Sequence, residues 1–202
     1  MTNHRKRLSI LVMSFIAYST YASCYGATNH KDLRRPATSH IVSLGSGEHS
    51  DYQPLSKNGF VIVWLKDGEM VVNQHPESVH QGSYEEIKGK NVLSLINKST
   101  SNIRFVLVGI LSTFQPLTME DFSLAANQEF EDASDGNIRL LVSLGNANLS
   151  DSRNQNDEGE SWKSGPPNRF TLSQGQTAWL APGMHRLKNL NRAEVRFITI
   201  EW

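Results

Sequence analysis

Arg169-Phe-Thr-Leu-Ser-Gln-Gly-Gln-Thr-Ala-Trp-Leu-Ala-Pro-Gly-Met-His185-Arg-Leu-Lys-Asn189, closed by Ala193-Glu-Val-Arg-Phe-Ile-Thr-Ile-Glu-Trp202, decides how the rest of the chain is read. Two β-rich runs flank a Pro182-Gly183 turn and His185, and Asn189 follows that His by four residues. Val195, Phe197 and Thr199 alternate with Arg196, Ile198 and Ile200. A run with apolar residues on both faces suits a strand packed inside a barrel or sandwich.

Working outward, further strand-like runs appear at Phe60–Leu65 and Glu69–Val72, joined by Lys66-Asp-Gly68, which reads as a hairpin turn. Asn91–Ile96 and Ile103–Ile110 come next, then Ile138–Ser143 and Ala147–Leu149 across Gly145-Asn146. Between them Met119–Ala126 is the one segment that reads as a short helix. Asp151–Asn168 is polar and reads as an exposed loop. The two halves echo each other. Phe60–Val72 compares with Ile138–Leu149, a Gly-led strand recurs at Gly89 and Gly175, and an Asn is followed seven residues later by Arg-Phe in both (Asn97 to Arg104-Phe105, Asn189 to Arg196-Phe197). An internal duplication, with halves 41–113 and 114–202, and a single barrel with an elaborated N-terminal part both fit this pattern.

The Gly-led strand, Pro-Gly turn, His185 and Asn189 together resemble the second motif of the cupin superfamily, specifically so only in the final third of the chain. Phe60–Val72 is similar to the strand–Gly–strand that ends the family's first motif, and Asp121–Asn127 to a segment of secreted seed-storage-like cupins. The resemblance implies an all-β, cupin-like jelly-roll barrel over 41–202, which would be a degenerate bicupin if the halves are related. It also implies where a metal would sit, because metal-dependent cupins hold Fe, Mn, Zn or similar ions with two His and a Glu of the first motif and one His of the second. His185 matches that last ligand. The first-motif positions counted back from Gly68 fall near Leu55, Lys57 and Val61, and those before Gly145 near Asp132, Asp135 and Ile138, with no His in either set. The remaining donors that could join His185 are His75, His80 and Glu85, a His-rich stretch with half of a first-motif spacing; His49 with Glu48 and Asp51 is another group. Against a divalent transition metal stands the plainer reading of a single His at a barrel mouth, bonded to a neighbour.

Aromatic residues are the other functional candidates. Trp64 and Trp179 fall in strands that correspond between the halves, and Tyr52, Tyr84 and Trp162 fall in rim loops. A mouth carrying His185, Arg186, Trp179, Trp64 and Tyr84 would suit a small molecule or glycan, although both Trp side chains also fit a plain core role. No Gly-x-Ser-x-Gly elbow, phosphate-cradling Gly loop or dinucleotide fingerprint occurs, and Asp157, Glu158 and Glu160 read as loop solubility rather than an acid/base pair.

The N-terminus reads as a secretory signal over 1–27. His4-Arg-Lys-Arg7 is its basic region, Leu8–Ala17 its short apolar region, and cleavage falls near Ala22 or Ala27. A flexible lead-in, 28–40, follows. The apolar run is too short for a membrane span. Tyr21-Ala-Ser-Cys24 is a weak lipobox, so a lipid anchor on Cys24 is the lesser alternative to free secretion or a periplasmic location. Cys24 is the only cysteine, which excludes an internal disulfide. Loss of Arg5, Lys6 and Arg7 leaves 17 basic against 20 acidic residues, and no basic patch suggests nucleic acid. Asn97 and Asn148 head Asn-x-Ser sequons.

The functional expectation is a secreted cupin-like protein that binds a small molecule or glycan without metal-dependent turnover. The alternatives are a metal-dependent enzyme (oxygenase, isomerase or lyase) using His185, and a structural protein whose barrel surface serves homo-oligomerisation or another protein partner.

Overall fold

The computed structural model describes residues 36–54, 58–89, 92–111, 118–134, 137–154 and 168–202. The stretch 1–27 read as a signal, Cys24, Trp162, Asp157, Glu158 and Glu160 lie outside them. Sixteen strands and no helix occur among the described residues, in two runs of eight. The first is β1 (Ala37–Leu44), β2 (His49–Tyr52), β3 (Phe60–Trp64), β4 (Gly68–Val72), β5 (His75–Val79), β6 (Tyr84–Ile87), β7 (Leu93–Asn97) and β8 (Ile103–Ile110). The second is β9 (Thr118–Leu124), β10 (Glu129–Ser134), β11 (Arg139–Ser143), β12 (Ala147–Asn154), β13 (Asn168–Leu172), β14 (Thr177–Leu180), β15 (Gly183–Asn189) and β16 (Val195–Glu201).

Each run folds into two four-stranded antiparallel sheets with the same order. β1-β8-β3-β6 faces β2-β7-β4-β5 in the first half, and β9-β16-β11-β14 faces β10-β15-β12-β13 in the second. The chain is therefore all-β with two jelly-roll halves. The expected hairpin at Lys66–Gly68 is not one. β3 and β4 belong to different sheets, because β3 already has neighbours on both sides in β8 and β6. The true hairpin joins β4 to β5 through Asn73-Gln74, both at positive φ (46° and 73°), the geometry of a primed two-residue turn. Met119–Ala126 is likewise not a helix. It lies largely in β9, an edge strand paired with β16, where Phe122 and Leu124 turn into one apolar cluster while Met119 packs on another. The alternating pattern was masked by Glu120, Asp121 and Ser123 around the apolar positions. The first strand begins at Ala37, inside the stretch read as lead-in, and β12 runs on to Asn154, inside the stretch read as a loop.

Three apolar clusters explain why the central strands are hydrophobic on both faces. Phe60, Ile62 and Trp64 fill the first barrel with Leu44, Met70, Leu93, Leu95 and Phe105. Leu141 fills the second with Leu124, Leu149, Leu187 and Phe197. The alternate residues Val61, Val63 and Leu65 meet Leu140, Val142, Leu144, Ile198 and Ile200 in a third cluster, where the large sheets of the two halves pack together. Polar bonds across this joint come in matched pairs. Gln81 Nε2 donates to the Leu144 carbonyl (3.1 Å) and Gln174 Nε2 to that of Leu65 (2.9 Å). Tyr84 Oη donates to the Met119 carbonyl (2.7 Å), and the hydroxyls of Thr177 and Ser39 lie 2.9 Å apart at the matching place. Gly82 and Gly175 occupy equivalent turns at φ +85° and +83°; a Cβ on Gly175 would lie 2.6 Å from Leu65 Cδ1. The structural match of Gly175 is thus Gly82, not Gly89.

The Asn-to-Arg-Phe echo has a physical basis. Asn97 Nδ2 donates to the carbonyls of Leu44, Gly45 and Ser101 (2.9, 3.0 and 2.8 Å), and its Oδ1 accepts from Ser99 N (2.8 Å). Asn189 Nδ2 does the same with Leu124, Ala125 and Ala193 (3.0, 3.0 and 2.8 Å), with Asn191 N donating to its Oδ1 (2.8 Å). Both are fully buried, and each ties three backbone segments together at the closed end of its barrel.

Candidate functional site

Superposing the halves by these equivalences places Arg139 where the first barrel has Phe60, Ser143 at Trp64, Asp151 at Val72, His185 at Leu93 and Thr199 at Leu107. All five first-barrel residues are buried in its apolar core. The first interior is plugged by hydrocarbon, whereas the second keeps polar groups among its leucines and phenylalanines.

His185 is fully buried on β15, on the same face as Leu187 and Asn189. Its Nε2 donates to the Ala181 carbonyl (2.6 Å), and one proton lies between Nδ1 and Asp151 Oδ2 (2.9 Å). Asp151 is also buried, on the neighbouring strand β12. The pair fixes the ring and ties the Ala181-Pro182 connection to the barrel interior. Both ring nitrogens are engaged, so His185 has no lone pair for a metal unless one of these bonds is broken.

Toward the other sheet, the interior face of β9-β16-β11 is laid out in cross-strand rows. Thr118, Glu201 and Arg139 form one, and Glu120, Thr199 and Leu141 the next. Phe122 and Phe197 lie beyond. Glu201 accepts from Asn137 Nδ2 (2.7 Å) at Oε1, and from Arg139 Nη2 (3.1 Å) and Thr118 Oγ1 (3.1 Å) at Oε2. Burial pushes its pKa up, but the hydrogen bonds from Asn137 and Arg139, the Arg139 charge and the Thr118 bond outweigh burial and hold the carboxyl below its ordinary value. Glu120 is exposed, and its carboxylate makes no ion pair or hydrogen bond among the described residues. Phe122 packs at a tilt of 58° against Phe130 of β10 (4.7 Å between centroids), and Phe130 is 37% exposed.

The candidates read from the sequence are spread over the molecule. Trp64 is buried inside the first barrel, tilted against Phe105 at 5.3 Å. Trp179 is on β14, whose counterpart is β6 rather than β3, so the two Trp residues are not in corresponding strands. It packs at the joint against Trp202 (5.6 Å), outside both interiors. Tyr84 reaches across the joint to Met119. Arg186 follows His185 but points to the outer face, where Glu129 and Glu131 pair with it (3.3 and 2.9 Å). His75 and His80 are exposed in the first half. Glu85 is half-buried there, its pKa raised by burial, then by the charge and hydrogen bond of Glu77. His49 Nε2 meets Asp51 Oδ1 and Ser94 Oγ, both at 2.9 Å, through one nitrogen. No three His, Cys, Asp or Glu among the described residues stand together as metal ligands. The donor set does not fit the ion that the cupin resemblance implies, because His185 is tied to Asp151 and Ala181 while His75, His80 and Glu85 belong to the other half. Of the sequons, Asn97 is spent on its buried bonds and Asn148 is exposed on β12.

Arg139, Thr199, Glu201 and Glu120 were missed by sequence reasoning. The available signal was Arg139 interrupting Ile138-Arg-Leu-Leu-Val, at the position of Phe60 in the first half.

No family model matches this sequence, and no curated protein does. Solved structures do. AerE from Microcystis aeruginosa is similar at TM-score 0.62 and 6% identity, over 83% of this chain and 88% of that one. Vicilin from Capsicum annuum reaches 0.56 at 7% identity (82% and 75% covered). Salicylate 1,2-dioxygenase from Pseudoaminobacter salicylatoxidans, as a single-residue mutant, reaches 0.54 at 8% identity (82% and 71%). The likeness is one of fold: a cupin-like jelly roll in two halves.

Proposed function

We propose that this chain is an exported protein of bicupin fold that binds a small molecule or glycan in its second barrel, without metal-dependent turnover. The observation that carries the reading is the contrast at five equivalent interior positions. Phe60, Trp64, Val72, Leu93 and Leu107 close the first barrel, and Arg139, Ser143, Asp151, His185 and Thr199 leave hydrogen-bonding groups in the second. Buried polar groups are retained only where they are satisfied, and a few of them in an otherwise apolar cavity are what orient a ligand. Against a metal enzyme stands the engagement of both His185 nitrogens. Export rests on the N-terminal basic-then-apolar order.

The test is elemental analysis of the purified mature protein and of His185→Ala, followed by calorimetric titration with small polar molecules. Metal-free protein with saturable binding is expected. Near-stoichiometric Fe, Mn, Zn, Ni or Cu that is lost in His185→Ala would overturn the reading in favour of the metal enzyme. Absence of any binding, with concentration-dependent self-association, would favour the structural role.

A further inference from the structure

Resting on that reading and deepening it, we infer that the mouth of the second barrel takes an uncharged polyhydroxylated ring and turns carboxylates away. Four observations meet there. The Thr118–Glu201–Arg139 and Glu120–Thr199 rows set acceptors and donors side by side on one sheet face, at the spacing of neighbouring strands. Glu201 and Glu120 accept from hydroxyls, Arg139 and Asn137 donate, and Thr199 does either. A ring with hydroxyls around its rim matches such a mixed array. An aliphatic ligand would strip water from the Glu120 carboxylate and from the outer sides of the Glu201–Arg139 pair without replacing its hydrogen bonds, and be rejected for that reason.

Charge narrows the class further. The guanidinium of Arg139 is already matched by Glu201 (3.1 Å), so it presents no net positive charge to an anion. Glu120 adds a carboxylate with no ion partner among the described residues. On the facing sheet His185 is paired with Asp151 (2.9 Å). A ligand carboxylate would therefore enter a field with no cationic excess. Finally, Phe122 lies on the same strand and face as Thr118 and Glu120, with Phe130 packed against it at a tilt and partly exposed. An aromatic surface beside a polar rim packs the C–H face of a ring while its hydroxyls bond to the rim.

The experiment is saturation-transfer difference NMR on the full mature chain with glucose, galactose and rhamnose against glucuronate and galacturonate. At least one neutral sugar is expected to receive saturation, with the uronates about tenfold weaker or silent. Thr199→Val should weaken the neutral sugar about tenfold by removing one rim hydroxyl. Glu120→Lys, at an exposed position that leaves the melting transition unchanged, should shift preference toward the uronates. Uronates binding as well as neutral sugars would overturn the inference, as would failure of every neutral sugar at about 10 mM or binding indifferent to both variants. If another class of molecule binds and its contacts map to the second barrel, this inference falls while the proposed function stands. Silence of every class sinks both.

Discussion

The two barrels share their backbone devices and differ in what fills them. Asn97 and Asn189 make the same three carbonyl bonds, Gly82 and Gly175 take the same turn, and Gln81 and Gln174 cross the joint in opposite directions. Inside, Trp64 and Phe105 close the first barrel, whereas Ser143 stands at the Trp64 position in the second and donates to the Gly145 carbonyl two residues on. Positions that satisfy backbone groups are common to both, because their loss would orphan buried carbonyls. Positions that merely fill volume have diverged. The first interior is thus closed by hydrocarbon, and the second keeps polar groups among its apolar ones.

The contrast breaks most sharply at the buried pair. Asp151→Ala should destabilise by about 3–5 kcal/mol, since His185 would lose its hydrogen-bonded partner in the interior. The double variant Asp151→Val/His185→Leu, which copies the first barrel, should regain most of that loss. Denaturant midpoints with unchanged slope are the measurement, and a double variant as unstable as the single one would argue against equivalence of the two interiors.

The shared devices should cost the same in either half. Asn97→Ala and Asn189→Ala each remove one donor from three carbonyls, and each is expected to lose on the order of 3 kcal/mol. A difference above about 1.5 kcal/mol between them would show that the repeat is geometric but not energetic. A smaller loss, about 1–3 kcal/mol, is expected for Gly175→Ala, where positive φ and the Leu65 contact both resist a Cβ. Gly82→Ala, whose nearest atom is Leu144 Cδ1 at 3.0 Å, should cost somewhat less.

The pH dependence is the smallest effect, and it has opposite signs in the two halves. Glu201 has a lowered folded-state pKa, so its contribution is present above the ordinary value of 4.5 and is lost as pH falls through the folded value. Glu85 has a raised one, so the folded protein holds that proton longer, and stability declines as pH rises from 4.5 through its folded value. Glu201→Gln should flatten the acid side of the stability curve and Glu85→Gln the upper side. Urea midpoints from about pH 3 to 7 would show it, and a single variant flattening both limbs would contradict the assignment.

Much of the fold was legible because the decisive signals are local. Phe60–Leu65 and Val195–Ile200 are apolar on both faces, which only a strand packed between two layers needs, and the Asn-to-Arg-Phe spacing marks equivalent barrel ends. β9 was misread because Glu120, Asp121 and Ser123 hide its alternation on an edge strand. The hairpin at Gly68 was misread because sequence does not say which sheet a strand joins. The site was less legible. His185 stood out, but its partner Asp151 is 34 residues away and meets it only through the pairing of β12 with β15. Trp179 sits on a strand with apolar neighbours on both sides, and nothing in Thr177–Leu180 says that it faces the joint rather than the barrel.

Amide chemical-shift mapping of the protein during titration with a neutral monosaccharide tests most directly whether the second barrel is the site. The account predicts saturable shifts at Thr118–Phe122, Asn137–Leu141 and Thr199–Glu201, with the strands around Trp64 and Phe105 unmoved. Saturable shifts centred on the first barrel, or on Trp179 and Trp202 at the joint, would contradict it.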